Sequence, residues 1–235
     1  MTWSIVAVDA DGSFGVAVAS RFFAVGALCP HARSGVGALS TQALVNPLYA
    51  LPALAALAEG AAPEDIVRRL TGGDPGSAHR QLHLIDRHGR TAAHTGAACI
   101  DWCGQSSGPG FSVAGNMLAG PAVLDATAAA YQGGNGRPFA ERLVVALAAG
   151  EAAGGDKRGK QAAALLVYTT EDYPALDLRV DDHVEPVTEL ARLLHTSAKR
   201  FQPFVLCLPR HDDPAGIVDR AVIEARIEQF RSRKP

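Results

Sequence analysis

Thr2 carries the first chemistry visible in this chain, because it stands directly behind Met1. An initiator methionine is generally removed when the next residue is small, and threonine qualifies. Removal would leave Thr2 with a free α-amine beside its own hydroxyl. Such a residue unites nucleophile and base: a neutral amine with a pKa of about 7.7–8.0 can take the hydroxyl proton as the oxygen attacks a carbonyl. Many chains begin Met-Thr with no such role, so the weight lies in the residues next to it. Ser4–Val8 is an apolar, β-branched run, and a nucleophile at the head of a strand is held rigidly, as the chemistry requires.

Other polar residues form a second tier. Thr41 and Gln42 end a small-residue strand and could line a pocket, whereas Asn46 ahead of Pro47 reads either as a pocket residue or as a helix N-cap. Residues 154–161, GGDKRGKQ, gather three cations in a glycine-rich loop. Arg158 could clamp a substrate carboxylate and Asp156 could orient it or receive a substrate amine; a solvated basic turn is the competing reading. In DLRVDDH, residues 177–183, Asp177, Arg179 and Asp181 share one face of a strand. Asp181 there suits mutual pairing, substrate contact or a metal.

These residues need a scaffold, and the pattern supplies one. Residues 3–19 read as a hairpin around Asp11-Gly12. Short strands are expected at Phe22–Leu28 and Gly35–Thr41, then two helices, Pro47–Glu59 and Pro63–Leu70. A second hairpin spans Gln81–Thr95. Strands at Cys99–Trp102 and Phe111–Asn116 flank a polar loop, Gly104–Gly110, and another helix pair covers Pro121–Tyr131 and Pro138–Ala149. Strands Gln161–Tyr168 and Leu176–Val180 and a helix Pro186–Leu194 complete a unit of about 195 residues. Residues 196–235 read as a C-terminal helical appendage, with a helix capped at Asp212-Asp213-Pro214 that docks on the core or on a second subunit. Elements arriving in blocks rather than strict alternation argue α+β with mainly antiparallel sheets; two stacked sheets with helices outside is one economical arrangement.

Composition narrows the function. Hydrophobic residues are 48% and charged residues 20% of the 235, which excludes a disordered polyelectrolyte. Aromatics are only 6%, against 43 Ala and 24 Gly, so a tightly layered core is expected. The net charge of −2 gives no global field for nucleic acid or an anionic membrane, and no run of 18 apolar residues could span one. The N-terminus is a poor signal peptide, and four cysteines make no disulfide scaffold, so a reduced, cytoplasmic setting is expected. Cys99-x3-Cys103 has no second pair, and no metal or cofactor is expected. P-loop and GxGxxG patterns are missing, and the GxSxG match at Gly104–Gly108 lies in a polar loop between strands rather than at a strand-to-helix turn, which leaves α/β-hydrolase and dinucleotide chemistry unsupported.

Several segments in combination carry a family resemblance. TWSIVAVDADGSFGVAVASRFFAVG at 2–26, Gly35-Val36-Gly37-Ala38, Thr41-Gln42-Ala43, Asn46-Pro47, GNMLAG at 115–120, GGDKRGKQAAALLV at 154–167 and DLRVDDH at 177–183 occur in order. Together they resemble the domain of unknown function 1028 family, which looks like the N-terminal nucleophile (Ntn) hydrolases. The resemblance implies a four-layer αββα sandwich, amide-bond hydrolysis with Thr2 as nucleophile, a small amide, peptide or carbamoyl substrate, and a homodimer or higher homo-oligomer. A non-catalytic ligand-binding or cell-wall-fragment-binding member of the same fold is the alternative. Some members add a peptidoglycan-binding module; residues 196–235 are too short for a typical one.

The resemblance also assigns roles. In proteasome-like members a basic residue and an acid tune the nucleophile; Arg21 and Asp9 are the candidates, with a strand-end charge and a turn residue as the plain readings. In the glutamine amidotransferase branch an Asn-Gly pair furnishes the oxyanion hole. Here the order is Gly115-Asn116, so Asn116 reads as an oxyanion donor or as a turn residue ahead of Pro121.

Overall fold

Residues 2–20 form the expected hairpin. Strand β1 (Thr2–Val8) pairs antiparallel with β2 (Phe14–Ser20), Trp3 opposite Ala19 and Val8 opposite Phe14. The turn is closed by Asp9 N–H to the Ser13 carbonyl at 2.8 Å, and Gly12 supplies its positive φ of 84°. The computed structural model describes residues 2–233, so the expected loss of Met1 lies outside the described residues.

The chain continues through β3 (Pro30–Arg33), β4 (Gly37–Ala43), α1 (Ala50–Ala58), α2 (Pro63–Gly72), β5 (Arg80–Asp86), β6 (Thr91–Thr95), β7 (Trp102–Gly108) and β8 (Phe111–Leu118). After these come α3 (Ala122–Gly133), α4 (Phe139–Ala152), β9 (Ala162–Tyr168), β10 (Leu176–Val180), α5 (Pro186–Ser197), α6 (Phe201–Val205) and α7 (Arg220–Arg233). The result is a mixed α+β structure with two antiparallel sheets. One runs β10-β9-β2-β1-β8-β7 and the other β3-β4-β5-β6.

Strand alternation explains how these pieces pack. On β1, Trp3, Ile5 and Ala7 join Leu124 of α3, Leu147 of α4 and Leu190 of α5 in one apolar cluster. Leu39, Leu82 and Leu84 join Ala53, Leu57 and Ile66 of α1 and α2 in another. The opposite faces meet each other: Val6, Phe14 and Val16 of the larger sheet pack with Ala38 and Ile85 of the smaller.

Toward the Thr2 end the contact between the sheets turns polar. Ser4, Ser40, Gln42, Gln81, His83, Ser112 and Asn116 are all buried there, and buried polar groups must be paired. Main-chain carbonyls, which can only accept, set the polarity. Gln81 Nε2 donates to the Gly115 and Gly104 carbonyls at 2.9 and 3.1 Å, so Gln81 Oε1 accepts from Gln42 Nε2 (2.8 Å) and Asn116 Nδ2 (3.0 Å). Gln42 Nε2 also reaches the Ala114 carbonyl at 3.1 Å, which turns Gln42 Oε1 toward Ser4 Oγ at 2.7 Å. Ser4 donates there and therefore accepts from His83 Nε2 at 2.7 Å, leaving His83 Nδ1 to accept from Ser112 Oγ at 3.1 Å. His83 is thus the neutral Nε2–H tautomer, and burial pulls its pKa down to about 3.

Small residues allow this stacking. Gly150 of α4 sits where a Cβ would lie 2.3 Å from Thr127 Oγ1 and 2.7 Å from Trp3 Nε1. Gly133, the last residue of α3, has nothing within 4 Å of that position.

Four expectations differ from the structure, the first being Cys99–Trp102, where only Trp102 is strand and the chain turns at Asp101 with φ 55°. Phe22–Leu28 is not a strand: Phe22 and Phe23 are exposed, Ala24 adopts φ 53°, and Val25–Ala27 is a short 3-10 turn. The strand begins instead at Pro30, tolerated because β3 is a sheet edge and needs no N–H there. Gly104–Gly110 is mostly strand β7, whose polar, half-exposed edge gives no apolar periodicity. The last helix starts at Arg220 rather than after Pro214, since Asp219 Oδ1 accepts from the Ala221 and Val222 amides at 2.8 and 3.3 Å. Ile227 is buried along α7, and Arg200 bonds Glu224, which ties the C-terminal segments together.

The packing and the polar contact each make a testable demand. Gly150→Ala will lower stability by about 1–3 kcal/mol through overpacking, whereas Gly133→Ala will raise it by about 0.4–1 kcal/mol, both read by denaturant titration. His83 has a folded pKa below its unfolded value, so only the unfolded chain takes up its proton between about pH 6.5 and 3. The free energy of unfolding will fall on going from pH 8 to pH 5, by about 2 kcal/mol for this one group, and His83→Gln will flatten that fall.

Candidate functional site

Three adjacent strands bring three polar side chains into one row. Thr2 pairs with Asn116 on β8, and one step beyond the Trp3–Ala19 pair it meets Ser20 on β2. Thr2 Oγ1 donates to Ser20 Oγ at 3.1 Å, which fixes the hydroxyl rotamer, and Thr2 is only 5% exposed. Asn116 Nδ2 donates to Gln81 Oε1 at 3.0 Å and reaches the Thr2 carbonyl at 3.5 Å. Gln81 therefore orients the Asn116 amide, and the polar contact between the sheets ends at Thr2.

A cavity of about 450 Å³ opens at this row. Thr2, Gln42 and Asn116 contribute its buried polar floor. Phe22, Leu44 and Ile100 stand at its exposed apolar rim, and Arg158, with 42% of its side chain exposed, is the charged group of the rim. The volume lies in the range of small-molecule sites.

The walls are built by loops that two carboxylates secure. Asp156 is buried and accepts from the Arg21 amide at 2.7 Å, the Arg158 amide at 2.8 Å and the Arg158 guanidinium at 3.3 Å. It thereby ties the 154–161 loop to the end of β2 and sets the position of Arg158. Asp74 accepts from Tyr49 Oη at 2.6 Å, Asn46 Nδ2 at 3.1 Å, Arg80 Nε at 3.2 Å and the Gly76 amide at 2.7 Å. The Tyr49 hydroxyl bond, foremost, holds the Asp74 carboxyl well below its ordinary range, and burial together with Asp74 pushes the Tyr49 phenol up to about 12. This cluster pins the segments that present Leu44, Val45 and His79 to the cavity.

Strain gathers at the same place. Ala43 and Met117, both on the cavity wall, hold φ of 70° and 54°, and Ala24 and Asp101 beside it hold 53° and 55°. Non-glycine residues in this region cost about 1–3 kcal/mol each and cluster at functional sites. Ala43 and Met117 stand at the ends of β4 and β8, and Ala24 and Asp101 precede the lining residue Val25 and follow the lining residue Ile100.

The expected site residues separate into two groups. Thr2, Asn116, Gln42 and Arg158 line the cavity. The others lie outside that lining. Arg21 projects outward and its guanidinium bonds the Arg158 carbonyl. Asn46 caps the Pro47–Tyr49 turn, its Oδ1 accepting from the Leu48 amide at 3.2 Å. Asp181 forms a bidentate pair with exposed Arg179 at 2.9–3.1 Å. Asp9 bonds Arg142 at 2.9 Å past the far end of β1, about 23 Å from Thr2 at strand rise, too far to tune it. Ser20 and Gln81, the partners of Thr2 and Asn116, are functional neighbours that sequence reasoning passes over; polar residues alternating through apolar strands are their only signal.

Rival nucleophiles on the wall are weak. Burial pushes the Cys29 thiol up to about 12 and raises that of Cys99, the latter helped by neighbouring Cys103. A thiol held protonated is a poor nucleophile. Among the described residues no group of three or more His, Cys, Asp or Glu is placed to hold a metal ion, and no helix is long and apolar enough to cross a membrane.

Comparison with known proteins agrees with the architecture. A crystal structure of a protein from Silicibacter pomeroyi, bearing the DUF1028 family model, matches with a TM-score of 0.85 and 31% identity over 93% of this chain and 99% of that one. Anbu (ancestral beta-subunit) from Yersinia bercovieri is a distant match, with a TM-score of 0.37 and 12% identity over 84% of this chain and 94% of that one. No curated protein matches the sequence. The model of the family of unknown function DUF1028 matches residues 2–190, and the chain belongs to that family.

Proposed function

We propose that the protein is an Ntn-type amidohydrolase, built as a four-layer αββα sandwich, that cleaves a small amide with Thr2 after removal of Met1. The observation that carries this reading is the Thr2 hydroxyl, fixed by Ser20 at the floor of a cavity that also contains Asn116. Helix clusters on the outer faces of both sheets and an apolar cluster between them support the sandwich.

The steps use this chain's own groups. The neutral Thr2 amine takes the hydroxyl proton, directly or through a water, as Oγ1 bonds to the substrate carbonyl carbon. One Asn116 N–H is engaged by Gln81, and the other, which makes only a long 3.5 Å contact with the Thr2 carbonyl, shifts to the oxyanion that develops. The tetrahedral species collapses: the C–N bond breaks, the leaving amine takes the proton from the Thr2 ammonium, and an ester on Thr2 remains. Water, deprotonated by the same amine, then cleaves the ester, and Oγ1 regains its proton.

Thr2→Ala will abolish amide turnover, and Thr2→Ser will retain part of it; activity of Thr2→Ala at the wild-type level would end the proposal. Ser20→Ala will lower kcat about tenfold with KM little changed, the scale of one lost hydrogen bond. Because the amine acts in its neutral form, kcat/KM will rise with pH through an inflection at about 8 or below.

A further inference from the structure

We infer that the cavity selects anionic amides with an apolar flank, of the N-acyl amino acid class whose side chain is aliphatic. This rests on the proposed function for placing the scissile carbonyl at Thr2, and goes further by assigning what the rim recognises. The cavity has a strong gradient from floor to mouth. Thr2, Gln42 and Asn116 are 5%, 1% and 1% exposed, and supply hydroxyl and amide groups suited to a carbonyl. The outer wall is apolar, with Val25, Val45 and Met117 continuing into Phe22, Leu44 and Ile100 at 49%, 61% and 60% exposure. A ligand portion lying against that wall gains by covering it.

Charge at the mouth has one sign. Arg158 lines the cavity, and no Asp or Glu among the described residues does. Asp156 lies behind Arg158, its side chain 1% exposed, and its oxygens are taken by the Arg21 amide, the Arg158 amide and the Arg158 guanidinium. That carboxylate therefore orients the guanidinium without presenting a charge to the ligand. One guanidinium nitrogen rests on Asp156, and the planar fork retains donors for a carboxylate. An ammonium group at the same rim would meet Arg158 and apolar surface, with no acid in the lining to pair it, since Asp101 beside the cavity is paired with Lys157 at 3.5 Å.

The test measures binding apart from turnover. Calorimetric titration of Thr2→Ala with N-acetyl-L-leucine, N-acetyl-L-leucinamide, N-acetylglycine and L-leucinamide separates charge from apolar contact. N-acetyl-L-leucine will bind about tenfold more tightly than the neutral amide or N-acetylglycine, and cationic L-leucinamide will bind weakest. Arg158→Gln in the same background will erase the preference for the carboxylate over the amide, and Arg158→Lys will restore only part of it. Circular dichroism of the variants separates lost recognition from lost folding. Equal affinity for the anionic and neutral probes, a preference unchanged in a folded Arg158→Gln, or no saturable binding of N-acetyl-L-leucine will each overturn the inference. Anion-selective binding without wild-type turnover of N-acetyl-L-leucine would leave the inference standing and count against the hydrolase reading. Turnover of neutral and anionic amides alike would do the reverse.

Discussion

A chain of hydrogen bonds buried between two sheets holds the rest of this structure in register. Burying seven polar side chains where two sheets meet is costly unless every donor finds an acceptor. Carbonyls of Gly104, Ala114 and Gly115 settle the matter, because they can accept and never donate. They fix the two glutamine amides, which fix Ser4, which fixes the tautomer of His83. A slip of one residue in β1 would turn Thr2 and Ser4 toward the helices and Trp3 into the polar contact. The chain of bonds therefore specifies which face Thr2 presents.

The site is the place where that order ends. At the first residue of β1 the two sheets part, and the space is closed by loops rather than by further strand. Those loops carry turn hydrogen bonds in place of strand pairing, and Asp74 and Asp156 accept from amides and cations that the turns leave over. The positive φ values at Ala24, Ala43, Asp101 and Met117 accompany the same transition, and a well-packed scaffold with Gly150 against Trp3 can sustain them.

Much of this was legible in the residues. The hairpin of β1 and β2, the paired helices and the antiparallel blocks came from period and turn chemistry. Thr2, Gln42, Asn116 and Arg158 were each visible as candidates, and they line one cavity. The illegible part depended on tertiary context. Strand β7 is an edge whose pairing comes from β8 and not from its own polar sequence. Asp156 and Asn46 carry the residue types of ligand contacts, yet each also bonds a partner many residues away, the Arg21 amide for Asp156 and the Asp74 carboxylate for Asn46. Arg21 stands directly after Ser20, but the end of the strand turns its side chain outward, so proximity in sequence pointed to the wrong neighbour of Thr2.

The central claim is that Thr2 is a free-amine nucleophile. Mass spectrometry of the purified, active protein, intact and as peptides after trapping with an acylating β-lactone, tests it most directly. A chain that begins at Thr2 and carries one acyl group on its hydroxyl is the expected result. Retention of Met1 on fully active enzyme, or acylation at Cys29 or Cys99 with Thr2 untouched, would contradict it.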